Sequence, residues 1–235
     1  MTSKVAIITG SPQGIGAGLA AGYRGQGWAV VASARATMPS EDPDVLTVAG
    51  DITEPATANR ILGAALERFG RIDTLVNSAD VFISKPFTEY TAADYATAIG
   101  VNLTGSFWLT QCAIAEMARR YGGHVVNVLA IPDGVADSGT PAALAALTKG
   151  GLVAVTRSLA SEYAPYGIRV NAVSPGVVQI QVDPAENCEG VGGWLPPLGR
   201  PGLISDVVDG VLFLESSPEI TGEILHIDGG QVAGH

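Results

Sequence analysis

Short apolar runs alternate with longer amphipathic or small-residue stretches along almost the whole chain. The apolar runs end at turn residues and are typical of buried β-strands. Seven strands are predicted, at residues 4–9, 28–33, 45–49, 73–78, 124–129, 168–174 and 224–227. Helices are predicted between them, at residues 15–24, 54–69, 91–120, 141–163 and 205–214.

This alternation restricts the fold. Parallel strands need crossover connections, which helices supply. We therefore predict an α/β fold, a doubly wound parallel sheet with helices on both faces. In such sheets ligands bind beyond the carboxyl ends of the strands. No linker, repeat or low-complexity tract is visible, so residues 1–235 are predicted to form one domain.

The first predicted strand leads into a loop that contains Gly10, Gly14 and Gly16, and a small-residue helix follows. A helix N-terminus presents unpaired N–H groups and a positive dipole end, and missing Cβ atoms let an anion approach. This arrangement favours pyrophosphate binding. Glycines that only allow a strand to pack on a helix would have the same spacing, so the stretch alone leaves both interpretations open.

The long helix predicted over residues 91–120 contains features of its own. Thr91 can cap its first turn. Gly100 and Gly105 are predicted to be weak points or points of close contact. Asn102 lies between the two glycines and has two interpretations: a residue of the functional site, or a side chain that satisfies a local backbone group.

Composition and charge exclude several functions. Of the 235 residues, 47% are hydrophobic and 15% charged, as expected of an ordered protein. A net charge of −10 disfavours nucleic acid and anionic membranes as partners. No apolar run approaches the roughly 20 residues of a membrane helix, and because the first strand is predicted to begin at residue 4, we expect no signal peptide. Two cysteines, Cys112 and Cys188, predict reduced thiols in the cytoplasm and no metal site.

Residues 179–202 form the least regular segment, rich in Gly, Pro, Asp and Glu, with Trp194 in its middle. Such a segment is either a solvated connection or a flap over a site. Because it follows the carboxyl end of the sixth predicted strand, we favour a flap on the substrate side.

A series of short motifs follows in a fixed order. They are residues 9–16 (TGSPQGIG), 51–52 (DI), 77–79 (NSA), Asn102, Lys149, 171–176 (NAVSPG), 221–222 (TG) and 228–230 (DGG). In this order and spacing they resemble the short-chain dehydrogenase/reductase family over essentially the whole chain. The resemblance implies a Rossmann-type fold, a nicotinamide cofactor, and a homo-oligomer, either a dimer or a homotetramer, built on the two longest helices.

The resemblance also implies which residues bind the cofactor. By their match to the family's motifs, they are Gly10, Ser11, Gln13, Gly14, Ile15, Gly16, Asp51, Ile52, Asn77, Ala79, Lys149, Pro175, Gly176 and Val178. In the family, Asp51 would bind the adenine amino group, and Asn77 and Ala79 would line the adenosine ribose. The family's usual glycine after Ala79 is Asp80 here, which makes a close approach of the backbone to the cofactor less favourable.

Arg35 distinguishes between the two forms of the cofactor. Family members that use NAD end the second strand with a carboxylate, whereas this chain has Ala34 followed by Arg35. A guanidinium pairs with a 2′-phosphate through charge-assisted bonds. We therefore predict NADP(H). The alternative is that Arg35 is an ordinary solvated arginine.

The match breaks at the catalytic residues. The family reduces carbonyls with a Ser, a Tyr, a Lys and an Asn, and Asn102 and Lys149 match the last two. The Tyr position, one helical turn before Lys149, is Ala145. The Ser position falls within residues 129–131 (LAI), and Ile180 replaces the Thr that follows the sixth strand.

Several other residues are candidates to replace the family's tyrosine as proton donor. The loop after the fifth strand contains Asp133, Asp137, Ser138 and Thr140. A polar turn between strand and helix is the favoured explanation of these residues, and Asp133 and Ser138 are the first to test as donors. Tyr163 and Tyr166 are predicted to be too remote, and His124, at the opposite end of the sheet, to be structural.

The loss of a positioned general acid typically costs about 10²–10⁴ in rate. Our leading hypothesis is therefore an NADP(H)-dependent oxidoreductase that reduces an imine, an iminium or a conjugated acceptor, which needs no strong acid. The replacements Ala130, Ile131, Ala145 and Ile180 favour a small, apolar substrate. Two alternatives stay open: a ketone reductase with a relocated proton donor, and a catalytically inactive subunit that binds NADP(H).

Apolar positions on the helix over residues 91–120 have two interpretations. Phe107, Leu109, Ile114 and Met117 either face a partner subunit or pack in the core.

Overall fold

The computed structural model describes residues 3–129, 141–179 and 196–234. The strands are β1 (Val5–Thr9), β2 (Ala29–Ala34), β3 (Val45–Ala49), β4 (Thr74–Asn77), β5 (Gly123–Val128), β6 (Ile168–Pro175), β7 (Val178–Gln179), β8 (Gly202–Leu203) and β9 (Ile224–Ile227). Seven of them form one parallel sheet in the order β3-β2-β1-β4-β5-β6-β9. The predicted doubly wound α/β fold is confirmed. Its strand order reverses between β1 and β4, which places the switch point there.

The helices are α1 (Gly14–Gly25), α2 (Pro55–Phe69), α3 (Ala92–Ala98), α4 (Ser106–Arg120), α5 (Ala143–Tyr163) and α6 (Ile204–Ser216). Short 3-10 turns cover Phe87–Glu89, Ala164–Tyr166 and Val232–Gly234. Side chains of β1 alternate between the two faces of the sheet: Val5 and Ile7 pack with α2 and α4, and Ala6 and Ile8 pack with α1 and α6. Both faces are therefore covered.

The helix predicted over residues 91–120 is interrupted. A π-helix, Ile99–Gly105, separates α3 from α4. Thr91 caps α3 as predicted, since its hydroxyl accepts a hydrogen bond from the N–H of Asp94. The two glycines are points of close contact: a Cβ at Gly105 would lie 2.7 Å from Cδ1 of Ile52, and one at Gly100 would lie 3.2 Å from Cγ2 of Thr53.

The four apolar residues with two interpretations divide between core and surface. Leu109, Ile114 and Met117 are buried in the core, whereas Phe107 is 56% exposed. Core packing therefore explains three of them.

The two-residue strands β7 and β8 pair with each other in parallel, after β6 and before α6. They bracket most of the segment predicted to be a flap, of which residues 180–195 lie outside the described residues. In the described parts of the chain, no helix is long and apolar enough to cross a membrane. Those parts also contain no group of three or more His, Cys, Asp or Glu residues placed to hold a metal ion.

Candidate active site

The turn between β1 and α1 forms a cradle of main chain. Gly10 and Gly14 have φ angles of +71° and +60°, which non-glycine residues rarely adopt. A Cβ at Gly16 would collide with the carbonyl oxygen of Gly10, so the loop folds tightly back on the helix. Helix α1 begins with no capping side chain and no acidic residue in its first turn. Its first N–H groups therefore have no partner within the helix and can bind an anion.

Thr9 joins this cradle to the neighbouring strand across the switch point. Its buried Oγ1 accepts hydrogen bonds from the N–H groups of Ser78 and Ala79, both at 3.0 Å. A Cβ at Gly10 would lie 2.9 Å from Cα of Ala79. The sequence places Thr9 within a motif but does not show its role. Its role is to hold the end of β4 against the end of β1.

The other predicted cofactor residues of the first motif, Ser11, Gln13 and Ile15, differ in their burial and contacts. Ser11 is largely buried, and its hydroxyl and N–H both donate to the carbonyl oxygen of Ser33 at 3.3 Å. Gln13 is exposed at the N-cap of α1, and Ile15 packs against the core on the α1 side of the sheet. Ser11 and Ile15 therefore shape the cradle, while Gln13 lies at its surface.

Arg35 and Asp51 lie at the ends of β2 and β3. These two strands are paired through Ala34 and Ala49, so the next residues on each strand are close. Among the described residues, Arg35 has no hydrogen bond or ion pair, and its side chain is exposed. Hydrogen bonds from Thr53, which include its N–H at 2.9 Å, and the nearby charge of Arg35 lower the pKa of Asp51. Asp51 is therefore ionised, and Arg35 is accessible to an anion.

Two predicted cofactor residues lie with their side chains in the core. Ile52 is 7% exposed and packs against the π-helix at Gly105. Asn77 is 4% exposed, and its amide donates to Oγ1 of Thr110 and Oδ1 of Asn127, both at 2.9 Å. Both amide hydrogens of Asn77 are used inside the sheet–helix layer. Its Oδ1 is buried and has no hydrogen-bond partner among the described residues, so a contact of Asn77 with a cofactor would be made by its main chain or by this oxygen.

Asn102 combines the two interpretations that the sequence left open. It lies in the π-helix, is 1% exposed, and forms two 3.0 Å hydrogen bonds with the N–H and the carbonyl oxygen of Val81. Its Nδ2 also donates to Oγ1 of Thr148 at 3.2 Å. The side chain therefore satisfies a backbone group, as the plainer interpretation states. The backbone group belongs to the loop after β4, so Asn102 also orders the site.

Lys149 and Asp80 form an ion pair at this end of the sheet. The Nζ of Lys149 lies 2.5 Å from Oδ1 of Asp80, and the two side chains are 6% and 23% exposed. Ala145, one turn earlier on α5, is buried, and Thr148 donates its hydroxyl to the carbonyl oxygen of Ala145. In the sequence, Asp80 is visible only as the replacement of a glycine, and its pairing with Lys149 is not predicted. The two residues are far apart in sequence, and no local pattern connects them.

The segment after β6 contributes main chain to the same edge of the sheet. The N–H of Gly176 donates to the carbonyl oxygen of Ile227, and a Cβ at Gly176 would lie 2.9 Å from Cα of Asp228. Pro175 ends β6, and Val178 begins β7. The predicted cofactor residues Pro175, Gly176 and Val178 therefore lie one after another along the chain, from the carboxyl end of β6 to the start of β7.

The amino end of the sheet holds a separate polar cluster, here called the Glu215 cluster: Tyr23, Thr74, His124, Arg169 and Glu215. The Oε2 of Glu215 accepts from the hydroxyls of Tyr23 and Thr74 at 3.0 and 2.8 Å, and lies 3.0 Å from Nδ1 of His124. The guanidinium Nη2 of Arg169 donates to the main-chain carbonyl oxygen of Glu215 at 3.0 Å. His124 is thus buried at the end of the sheet opposite the candidate site, as predicted.

Burial lowers the pKa of His124, although Glu215 opposes the shift. Burial alone would raise the pKa of Glu215, but hydrogen bonds from His124, Thr74 and Tyr23 leave it below its ordinary value. The cluster therefore holds a neutral imidazole beside an ionised carboxylate.

The candidate donors in the loop after β5, which are Asp133, Asp137, Ser138 and Thr140, lie outside the described residues. The apolar positions Ala130, Ile131 and Ile180 lie outside them as well. Tyr163 ends α5, about 20 Å along the helix axis from Lys149, which agrees with its prediction as remote.

Comparison with known proteins agrees with this geometry. The family model described as Enoyl-(Acyl carrier protein) reductase matches residues 10–231. A 3-oxoacyl-(acyl-carrier-protein) reductase FabG of Vibrio cholerae is 30% identical over 98% of both chains.

Two solved structures superpose over nearly their full length. A tyrosine-to-phenylalanine variant of ElxO with NADPH bound has a TM-score of 0.88 and 29% identity, and the match covers 99% of this chain and 100% of that one. A 3-ketoacyl-(acyl-carrier-protein) reductase of Brucella melitensis complexed with NADH has a TM-score of 0.86 and 29% identity, with 97% and 98% covered.

Proposed function

This chain belongs to the short-chain dehydrogenase/reductase family, and from that premise we propose that it is an NADP(H)-dependent oxidoreductase that reduces imine, iminium or conjugated acceptors. The observation that carries the proposal is the environment of Lys149. Ala145 occupies the position one helical turn before this lysine, where the family has a tyrosine. The partner of Lys149 is therefore the carboxylate of Asp80 and not a tyrosine hydroxyl.

The residues at the switch point fit a dinucleotide. The cradle of Gly10, Gly14 and Gly16 offers main-chain N–H groups and no side chains to a pyrophosphate. Asp51 is held ionised and suits a hydrogen bond from an amino group. When bound, NADPH supplies the hydride.

Arg35 supports the choice of NADP(H) over NAD(H). Its guanidinium is exposed at the end of β2, where the charge of Asp51 is nearby, but Arg35 has no salt bridge among the described residues. A 2′-phosphate would provide one through bidentate, charge-assisted hydrogen bonds. Both NADPH and NADH occur in the solved relatives, so the preference rests on Arg35 itself.

The proposed acceptor follows from the missing hydroxyls. Reduction of a ketone produces an alkoxide, which needs a proton donor and a hydrogen bond as it forms. An iminium already carries a positive charge that the hydride neutralises, so no alkoxide develops. Lys149 and Asn102 are the polar residues that match the family's catalytic positions. The side chain of Asn102 is already hydrogen-bonded to Val81 and Thr148. Asn102 therefore orders the site, and Lys149 is left to contact the nicotinamide ribose.

The FabG relative favours a second candidate function, the reduction of ketones. In that case a donor outside the usual position is required, and Asp133 and Ser138 remain the residues proposed for it. Loss of ketone turnover in Asp133→Asn would favour this function.

The test is one panel of acceptors. NADPH oxidation is measured with a cyclic imine, the matched cyclic ketone and a quinone, after NADPH and NADH binding has been measured by calorimetry. We expect the imine to be turned over faster than the ketone. Equal or faster ketone turnover contradicts the proposed acceptor, and binding without turnover of any acceptor favours a catalytically inactive subunit.

A further inference from the structure

The ion pair between Lys149 and Asp80 is unusual because the lysine is almost fully buried. Its side chain is 6% exposed, and its Nζ lies 2.5 Å from Oδ1 of Asp80. An isolated ammonium ion is very unfavourable in such a place, and a paired one far less so. Among the described residues, Asp80 is the carboxylate that pairs with Lys149.

Asn102 fixes the positions of both charged residues. Its amide holds the N–H and the carbonyl oxygen of Val81, which follows Asp80 in the chain. The same amide donates to the hydroxyl of Thr148, which precedes Lys149. The two segments that carry the ion pair are thus joined by a single buried side chain. Asp80 is therefore placed against Lys149 by the framework.

On the basis of the proposed function, we infer that Asp80 is a specificity-determining residue that cancels the charge of Lys149 and so allows a cation to bind beside it. In a site of low dielectric, an unpaired ammonium would repel a second positive charge strongly. With Asp80 in place, the pair is neutral overall. Cationic groups are then accepted near Lys149.

An iminium acceptor makes this neutrality useful throughout the reaction. The hydride and its electron pair move to the substrate carbon, and the C=N π electrons become the nitrogen lone pair. The substrate thereby loses its positive charge, while the oxidised cofactor gains one. One positive charge is present before and after the step, and an unpaired Lys149 would oppose it in both states. A ketone develops negative charge instead, which an unpaired Lys149 would stabilise.

The inference is tested on nucleotide binding, independently of turnover. The dissociation constants of NADPH and NADP⁺ are measured by calorimetry for the wild type, Asp80→Asn, Asp80→Glu and the double variant Asp80→Asn/Lys149→Met. We expect Asp80→Asn to weaken NADP⁺ relative to NADPH by about tenfold, because only NADP⁺ carries a cationic ring. Asp80→Glu keeps the charge and should keep the wild-type ratio.

The double variant identifies the route of the effect. Removing the ammonium as well should return the ratio of the two dissociation constants to near its wild-type value. Asp209→Asn, an exposed aspartate on α6, is the matched control and should leave both constants unchanged. If Asp80→Asn does not fold, Lys149→Met alone serves as the test. It leaves a negative charge and should tighten NADP⁺ relative to NADPH.

The outcomes separate this inference from the proposed function. Equal changes for NADPH and NADP⁺ in Asp80→Asn, or the same ratio change when Lys149 is absent, would overturn the inference. If the NADP⁺ and NADPH dissociation constants change as expected but the wild type reduces ketones faster than imines, the inference is supported and the proposed acceptor is wrong. A wild type that binds neither nucleotide overturns both.

Discussion

The amide of Asn102 and the main chain of Val81 form a reciprocal pair, in which Asn102 accepts from the N–H and donates to the carbonyl oxygen of the same residue, both at 3.0 Å. This arrangement mimics a pair of strand hydrogen bonds, but a helix supplies one side of it. It is possible because the π-helix, Ile99–Gly105, places Asn102 against the loop that follows β4.

We therefore expect Asn102→Ala to weaken both folding and nucleotide binding. Two main-chain groups of Val81 and the hydroxyl of Thr148 lose a partner, which should lower the free energy of unfolding by about 2–4 kcal/mol. Urea denaturation and NADPH calorimetry provide the measurements. Asn59→Ala, on an exposed part of α2, is the control. An unchanged NADPH affinity in a folded Asn102→Ala would contradict a role in ordering the site.

Arg35→Ala should separate the two nicotinamide cofactors. A charge-assisted hydrogen bond is worth about 1.5–3 kcal/mol, so the affinity for NADPH should fall roughly tenfold to a hundredfold. The affinity for NADH should stay the same, because NADH has no 2′-phosphate. Calorimetric titration with both nucleotides measures the difference. Arg157→Ala, an exposed arginine of α5, should change neither value. A parallel loss for NADH would show that Arg35 does not contact the phosphate.

Gly10→Ala tests the close approach of β1 and β4. Its φ of +71° disfavours an L side chain, and a Cβ would lie 2.9 Å from Cα of Ala79. We expect the free energy of unfolding to fall by about 1–3 kcal/mol. Gly63→Ala is a useful contrast, because Gly63 is exposed within α2 and a Cβ there meets nothing within 4 Å. That variant should be more stable by about 0.5–1 kcal/mol. Similar effects of the two substitutions would argue against the tight turn.

Glu215→Ala should be among the most destabilising single substitutions outside the candidate site. It leaves Tyr23, Thr74 and His124 without their shared acceptor Oε2, and Arg169 without the carboxylate whose Oε1 lies 4.0 Å from its Nη2. Breaking a buried charged network of this kind costs about 3–5 kcal/mol. Thermal and urea unfolding measure the loss, with Glu67→Ala, an exposed residue of α2, expected to stay within about 0.5 kcal/mol of the wild type. A loss as small as that of the control would mean that the Glu215 cluster contributes little.

The Glu215 cluster also predicts how stability depends on pH. Burial lowers the pKa of His124 below 6.5, so the unfolded chain binds this proton more readily than the folded one. Stability from His124 is therefore complete above about pH 6.5 and is lost as the pH falls. Hydrogen bonds keep the pKa of Glu215 below 4.5, against the effect of burial, so its contribution is lost only at lower pH.

Urea unfolding at about pH 8, 6 and 4 and constant ionic strength measures this dependence. We expect His124→Gln to reduce the loss of stability between the first two of these values. The same slope in wild type and variant would contradict the role of His124.

The fold and the tight glycine turn between β1 and α1 could be predicted from the sequence, because both depend on local patterns. Alternating strands and helices predict the parallel sheet, and the spacing of Gly10, Gly14 and Gly16 predicts the cradle. Asp80 could not be paired with Lys149 in advance, since the contact depends on how β4 and α5 pack. The π-helix was not predicted either. The sequence indicates only that Gly100 and Gly105 weaken the helix, and these glycines do not specify which helical hydrogen-bonding pattern results.

The orientation of Asn77 is a second feature that the sequence does not specify. Its place in a motif predicts contact with the ribose, but the motif does not show which way the side chain points. In the structure its amide is directed into the layer between sheet and helices, towards Thr110 and Asn127.

The sheet carries polar side chains at both of its ends, and the two ends serve different purposes. The carboxyl end holds the cradle, Arg35 and the Asp80–Lys149 pair, whereas the amino end holds the Glu215 cluster. Because the strands separate the two ends, we expect the effects of substitutions at one end to add independently to those at the other. Substitutions for heat resistance can therefore be made at the amino end of the sheet, and substitutions for new substrates at its carboxyl end. The two sets can be designed independently.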